Sequence, residues 1–281
     1  MPIQLIAMDI DGTLLDSQSK LSADNAETIA EAAARGVEIV IVTGRRFHSA
    51  KLIAEQIPCN VELITSNGAL VKSKNGETHL RTLLPVETAR RVLDATEEFR
   101  QLSGVIFDRP AENQVIFERI DWDGPFVGPY LRRHKTQVAE VAPLANCLNG
   151  EDPVEVMFIG ECAPVSAARA RLESQDFRDD FTIAITEYPR TGFSFMDVLG
   201  RGVTKGSALE AWARRKGISR ENVMAIGDNW NDREMLEYAG LPVVMGNSIA
   251  GLKSLGWATT LTNDQSGVAE AIRQHALRNA D

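Results

Sequence analysis

Apolar residues along this chain fall in short unbroken blocks rather than in alternation. The stretches "IQLIAM" at 3–8, "VEIVIV" at 37–42, "VELIT" at 61–65 and "NVMAIG" at 222–227 are almost wholly apolar, and each stops at polar residues. Blocks of this length predict strands buried on both faces, as in a parallel sheet. Between and after them the spacing changes to a helical one. "SADNAETIAEAAAR" at 22–35 opens on serine, is rich in alanine and is followed by Gly36, which predicts a capped helix. "FHSAKLIAEQI", "KGSALEAWARRKG", "NDREMLEYAG" and "SGVAEAIRQHAL" predict further helices, and "LPVVMG" a short strand. Strand–helix alternation of this kind builds right-handed crossovers with helices covering the sheet.

From residue 84 the rhythm breaks. A helix in "PVETARRVLDATEEF" leads into strand candidates "GVIFDR", "QVIFERI" and "VEVMFIG", then a helix in "PVSAARARLESQ" and a strand "FTIAITEY". The expected fold class is therefore α/β: a Rossmann-like parallel-sheet core, residues 1–83 and 188–281, with an α+β unit, residues 84–187, inserted into it.

Composition narrows the function without naming it. A length of 281 residues suits two domains, and 44% hydrophobic residues can fill their cores. The formal net charge of −9 argues against a nucleic acid or an anionic membrane as partner. The basic cluster "YLRRHK" at 130–135 is too small to reverse that and reads as a solvated helix face. No apolar run approaches the roughly 20 residues of a membrane span, and the first residues lack a signal-peptide pattern, so a soluble, cytoplasmic protein is expected. Cys59, Cys147 and Cys162 are far apart and read as reduced thiols; His48, His79, His134 and His275 show no metal-ligand spacing and receive no role. Serine-hydrolase elbows, P-loops and dinucleotide-binding glycine turns are absent from the sequence.

The candidate chemistry sits where the core strands end, the place at which open α/β sheets bind ligands. "DIDGT" puts Asp9 and Asp11 one residue apart directly after an apolar run. Two such carboxylates suit a hard cation, such as magnesium, with Gly12 easing the turn and Thr13 donating hydrogen bonds. An acidic turn is the plainer reading. In "VTGRR", Thr43, Gly44 and Arg45 suit phosphate oxygens, although one arginine can equally begin the next helix. Asn67 in "TSNGA" is a substrate contact or a turn-stabilising amide. Lys205, opening a helix, is a fixed cation or a solvated one. In "AIGDNWND", Asp228 completes a cation shell with Asn231 and Asp232 in support, or else Asp228 is a helix N-cap and Asp232 a favourable first-turn charge.

Taken together, "DIDGTLL" at 9–15, "TGR" at 43–45, "SNGA" at 66–69, "KGSAL" at 205–209 and "GDNWND" at 227–232 resemble, in order and over nearly the whole chain, the haloacid dehalogenase superfamily of phosphohydrolases, in its Cof-like branch. The resemblance implies a magnesium-dependent phosphatase acting on a small phosphorylated metabolite, such as a sugar phosphate, through an aspartyl-phosphate. It implies Asp9 as nucleophile and Asp11 as general acid and base. Magnesium would be bound by the Asp9 and Asp228 carboxylates and the Asp11 backbone carbonyl. Thr43 and Lys205 would hold the phosphoryl group, Asn231 would help position Lys205, and Asp232 would support the site. It also implies that the inserted unit is a mobile cap selecting the leaving group. A phosphomutase using the same intermediate and a non-catalytic sensor of phosphometabolites are the competing expectations.

Overall fold

The computed structural model describes residues 2–110, 112–124, 127–132, 135–188 and 191–277. Its chain divides into two compact units, one formed by Met1–Arg81 together with Thr204–Asp281, the other by Thr82–Val203. In chain order the strands are β1 (Leu5–Met8), β2 (Glu38–Val42), β3 (Glu62–Thr65), β4 (Leu70–Ser73), β5 (Thr78–Arg81), β6 (Ser103–Ile106), β7 (Val115–Phe117), β8 (Val138–Glu140), β9 (Glu155–Glu161), β10 (Phe181–Tyr188), β11 (Phe193–Gly200), β12 (Val223–Gly227), β13 (Leu241–Val244) and β14 (Ala258–Thr259).

The first unit holds an eight-stranded sheet in the order β14-β13-β12-β1-β2-β3-β4-β5. Neighbours from β14 to β3 are parallel, and β4 and β5 turn back antiparallel. Successive residues of a strand face opposite sides. Ile6, Met8, Ile39, Ile41, Met224 and Ile226 accordingly join one apolar cluster with Ile29, Ala50 and Val268 of three helices, Ala23–Ala34, Phe47–Ala54 and Gly267–Ile272. Leu5, Ala7, Val40, Val42, Val223 and Ala225 join another, with Leu209 and Trp212 of the helix Lys205–Arg215 and Met235 of the helix Arg233–Tyr238. Burial on both faces is why these strands carry no polar alternation. The helix Ala23–Ala34 begins as its sequence suggests, Ser22 accepting from the Asn25 amide at 3.1 Å.

The second unit holds a six-stranded sheet in the order β10-β11-β9-β6-β7-β8, antiparallel except for the β7–β8 pair. Val105, Val156, Phe158, Met196 and Val198 pack with Val92 and Val165 of the helices Val86–Ala95 and Cys162–Glu173. The unit ends at Val203 rather than at 187 because β11 is one of its strands, paired along its length with β10 and with β9. Strand β8 belongs to a stretch the sequence pattern left unassigned, while the short helix Val127–Arg132 overlaps the start of the basic cluster read as a helix face. Within the basic cluster, Leu131 is fully buried and Arg132 exposed, while Arg133 and His134 lie outside the described residues. Among the described residues no helix is long and apolar enough to cross a membrane.

Candidate active site

Parallel register in the first unit aligns Met8 with Ile41 and with Ile226, so the residues that leave β1, β2 and β12 emerge at one end of the sheet. Asp9, Thr43 and Asp228 are those residues, and all three are buried. Lys205 arrives from another direction as the first residue of its helix. Thr204 caps that helix, accepting from the Ser207 amide at 3.0 Å while Ser207 Oγ accepts from the Thr204 amide at 2.9 Å. Capping fixes the start of the helix, and with it the lysine.

Lys205 is the hub. Its Nζ donates to Asp9 Oδ1 at 2.6 Å and to Asp232 Oδ1 at 2.5 Å, with no side-chain exposure on Lys205 or Asp232. The solvated lysine of the alternative reading is thereby excluded. Asp232 Oδ2 accepts from the amides of Asp228 at 2.9 Å and Asn229 at 3.0 Å. Asn229, not Asp228, is the N-cap of the turn that follows, so the capping role offered for Asp228 falls away and its carboxylate is left for the site.

One ammonium therefore faces three buried carboxylates. Oxygens of Asp9, Asp228 and Asp232 lie within 4.8 Å of one another. Burial pushes the Lys205 ammonium down, but the carboxylates of Asp232 and Asp9 more than reverse this and hold it well above the usual lysine range. Burial raises Asp9 to about 7, with Asp232 and Asp11 adding to the rise and Lys205 opposing it. Burial, then the neighbouring charges of Asp232 and Asp9, likewise raise Asp228 far above the ordinary carboxylate range. A divalent cation with oxygen preference fits this excess of negative charge. Both Asp232 oxygens accept hydrogen bonds, one from Lys205 and the other from two backbone amides, so Asp232 anchors Lys205 against the loop that carries Asp228.

Gly12 is part of the same cluster. Its φ is +82°, and a Cβ there would lie 2.4 Å from Asp228 Oδ2. Gly12→Ala is expected to cost about 1–2 kcal/mol through the left-handed backbone alone. Displacing Asp228 is further expected to weaken divalent-ion binding roughly 10-fold or more. Urea unfolding and a Mn2+ titration followed by electron paramagnetic resonance measure the two effects; an unchanged ion affinity would remove Gly12 from the site.

Asp11 is placed differently from Asp9. Its carboxylate is gripped by Arg45, Nε to Oδ2 at 2.7 Å and Nη2 to Oδ1 at 2.6 Å, so the Asp11 side chain stands outside the carboxylate cluster. Arg45, expected on a phosphate, is engaged with Asp11, while Arg46, set aside in the sequence, is buried. Thr43 Oγ1 accepts from the Arg45 amide at 3.1 Å, which turns the hydroxyl proton to other partners. Asn67 has a left-handed backbone, φ +50°, and a Cβ on Gly44 would come within 3.1 Å of its amide. Asn231 Nδ2 donates to Asn67 Oδ1 at 3.2 Å, whereas Lys205, which Asn231 was expected to help position, is held by Asp9 and Asp232.

Two further side chains support Asp228: Thr13, expected from the sequence as a hydrogen-bond donor, and Ser248, which escaped the sequence reading. Thr13 Oγ1 donates to Asp228 Oδ1 at 3.1 Å, and Ser248 Oγ donates to the Asp228 carbonyl at 3.0 Å. Ser248 follows "LPVVMG", and the strand-end rule that found the other residues applies there too.

Known proteins share the sequence pattern and the fold of this chain. The family model of the haloacid dehalogenase-like hydrolases matches residues 6–272. The chain is 30% identical to the 5-amino-6-(5-phospho-D-ribitylamino)uracil phosphatase YcsE of Bacillus subtilis, over 98% of this chain and 96% of that protein. It is 26% identical to the pyridoxal phosphate phosphatase YbhA of Escherichia coli, over 99% and 100% of the two. Among solved structures, a haloacid dehalogenase-like hydrolase from B. subtilis superposes with a TM-score of 0.81 at 25% identity, covering 97% of this chain and 99% of that one. Similarity that runs through both segments of the first unit and across the second leads to one conclusion: the chain belongs to the haloacid dehalogenase superfamily, in its Cof-like branch, and is a hydrolase of phosphoric monoesters.

Proposed function

We propose that the protein releases phosphate from a small metabolite of sugar or polyol phosphate type, with Asp9 as the nucleophile. The observation that carries this reading is the Lys205 hub, which holds Asp9 Oδ1 and leaves Asp9 Oδ2 to attack phosphorus. Magnesium, held by the carboxylates of Asp9 and Asp228, would neutralise charge on the phosphate and the crowded carboxylates. Attack by Asp9 Oδ2 forms an oxygen–phosphorus bond as the phosphorus–oxygen bond to the alcohol breaks. Asp11 protonates the departing oxygen, then takes a proton from the water that cleaves the aspartyl-phosphate. For this the Arg45–Asp11 ion pair has to open, and the phosphate dianion is the natural new partner for Arg45. The Thr43 hydroxyl and the Lys205 ammonium stabilise charge on the oxygens in transfer. Thr82–Val203 is the unit to which we assign choice of the leaving group.

Relatives named for a ribityl phosphate and for pyridoxal phosphate support a metabolite-sized phosphomonoester. The test is phosphate release from hexose and pentose phosphates, pyridoxal phosphate and the ribitylaminouracil phosphate, each with magnesium or with EDTA. Magnesium-dependent release, with the highest kcat/KM on a sugar or polyol phosphate, is expected. A highest kcat/KM on pyridoxal phosphate would overturn the substrate class. Absence of release from all of them would overturn hydrolysis, and isomer formation dependent on a sugar bisphosphate would assign a mutase instead.

A further inference from the structure

We propose that Asn247 is a positioning residue for the phosphoryl-transfer site, acting through the backbone of Gly12. Asn247 follows β13 and is exposed, yet both ends of its side-chain amide are engaged: Nδ2 donates to the Gly12 carbonyl at 2.7 Å, and Oδ1 accepts from the Asn263 amide at 2.9 Å. The partners fix the amide orientation, since a carbonyl needs a donor and an N–H an acceptor. Only asparagine, among side chains of this length, offers one of each.

The bond matters because of where Gly12 lies. Without a side chain it has no packing of its own to hold its peptide planes, and it is pressed against the Asp228 carboxylate. Gly12 directly follows Asp11, so the position of its carbonyl governs how the turn carrying Asp9 and Asp11 meets Asp228. Asn247 is one of several ties from the last part of the chain to this turn. Asn263 Nδ2 donates to the Leu15 carbonyl at 2.9 Å, and Asp264 Oδ1 accepts from the Ser17 amide at 2.8 Å. Asn25 joins the two segments by donating to the Leu14 carbonyl at 3.1 Å while accepting from the Ala269 amide at 2.9 Å. Asn247 is the tie closest to the carboxylates, and its replacement removes the tie without opening a core.

This inference rests on the phosphohydrolase reading, so its test includes a measurement that needs no activity. Asn247→Ala removes both bonds. Asn247→Asp keeps the acceptor for Asn263 and sets a carboxylate oxygen against the Gly12 carbonyl. With p-nitrophenyl phosphate and magnesium, both variants are expected to lose roughly 10- to 100-fold in kcat, the range for residues that orient metal ligands. KM is expected to move by less than about threefold, because Thr43 and Lys205 are untouched. In the metal-free protein, hydrogen exchange at amides 11–17 is expected to quicken in both variants while β2 keeps its protection. An Asp variant with native kcat and a protected turn would overturn the proposal by showing that only the Asn263 bond matters. Unchanged exchange in both variants, or a loss of kcat that merely tracks a fall in melting temperature, would overturn it as well.

Discussion

Asp9→Asn is expected to reduce magnesium-dependent phosphate release by about 10^4-fold or more, the scale on which loss of a nucleophile is felt. No aspartyl-phosphate is expected when the reaction is quenched in acid. The amide has nearly the shape of the carboxylate, and Lys205 keeps Asp232 at 2.5 Å, so the fold is retained. Stability supplies a second, opposite readout. Asp9 is raised from 3.8 to about 7 in the folded protein, so its contribution is intact below 3.8 and is lost as pH rises through 7. At pH 8, in EDTA, ionised Asp9 therefore weakens the fold, and the asparagine variant is expected to melt at the same temperature as the native protein or higher. Residual turnover within tenfold of native would sink the assignment of Asp9 as nucleophile.

Lys205→Met is expected to damage both folding and turnover. It strips a buried ammonium from Asp9 and Asp232, whose oxygens lie on it at 2.6 and 2.5 Å, and leaves those charges uncompensated. Breaking one partner of a buried ion pair costs about 3–5 kcal/mol, so the urea midpoint of the metal-free variant is expected to fall sharply. Loss of a phosphoryl-stabilising donor adds roughly 10^2- to 10^3-fold in kcat. Asp232→Asn in the same background removes one stranded charge and is expected to recover part of the stability, a non-additivity that a double-mutant cycle measures. Additive effects would mean that Lys205 and Asp232 do not act as a pair.

The core was legible because its strands are buried on both faces. Nearly unbroken apolar runs such as "IVIV" at 39–42 have no amphipathic alternative, and the polar residues that follow them mark the ligand side of the sheet. The second unit was harder. β11 reads "FSFMDVLG", mixing serine, aspartate and apolar residues without a clean period, and its membership depends on pairing with β9 and β10 rather than on its own sequence. At the site, residue types at strand ends located Asp9, Thr43 and Asp228. Which carboxylate meets which cation could not be read. Arg45 and Asp11 are joined by a turn of the fold, and both were assigned to the substrate side of the chemistry because a linear sequence does not reveal that they satisfy each other. The strand-end rule also points at Asn247, directly after "LPVVMG", but not at its partners, which are two backbone groups that carry no sequence signature.

The position of β1 has a consequence for the order of events at the ribosome. β1 gains β2 as a neighbour soon after it is made, but its other edge pairs Leu5 with Val223. The whole of Thr82–Val203, a continuous stretch with its own sheet and apolar cluster, emerges before that edge can be covered. Lys205 and Asp228 also emerge after it. An interrupted chain thus carries the nucleophile but neither the ammonium that aims it nor the carboxylate that faces it, and the hydrolase acquires its activity only after the segment carrying Asp228 has been made.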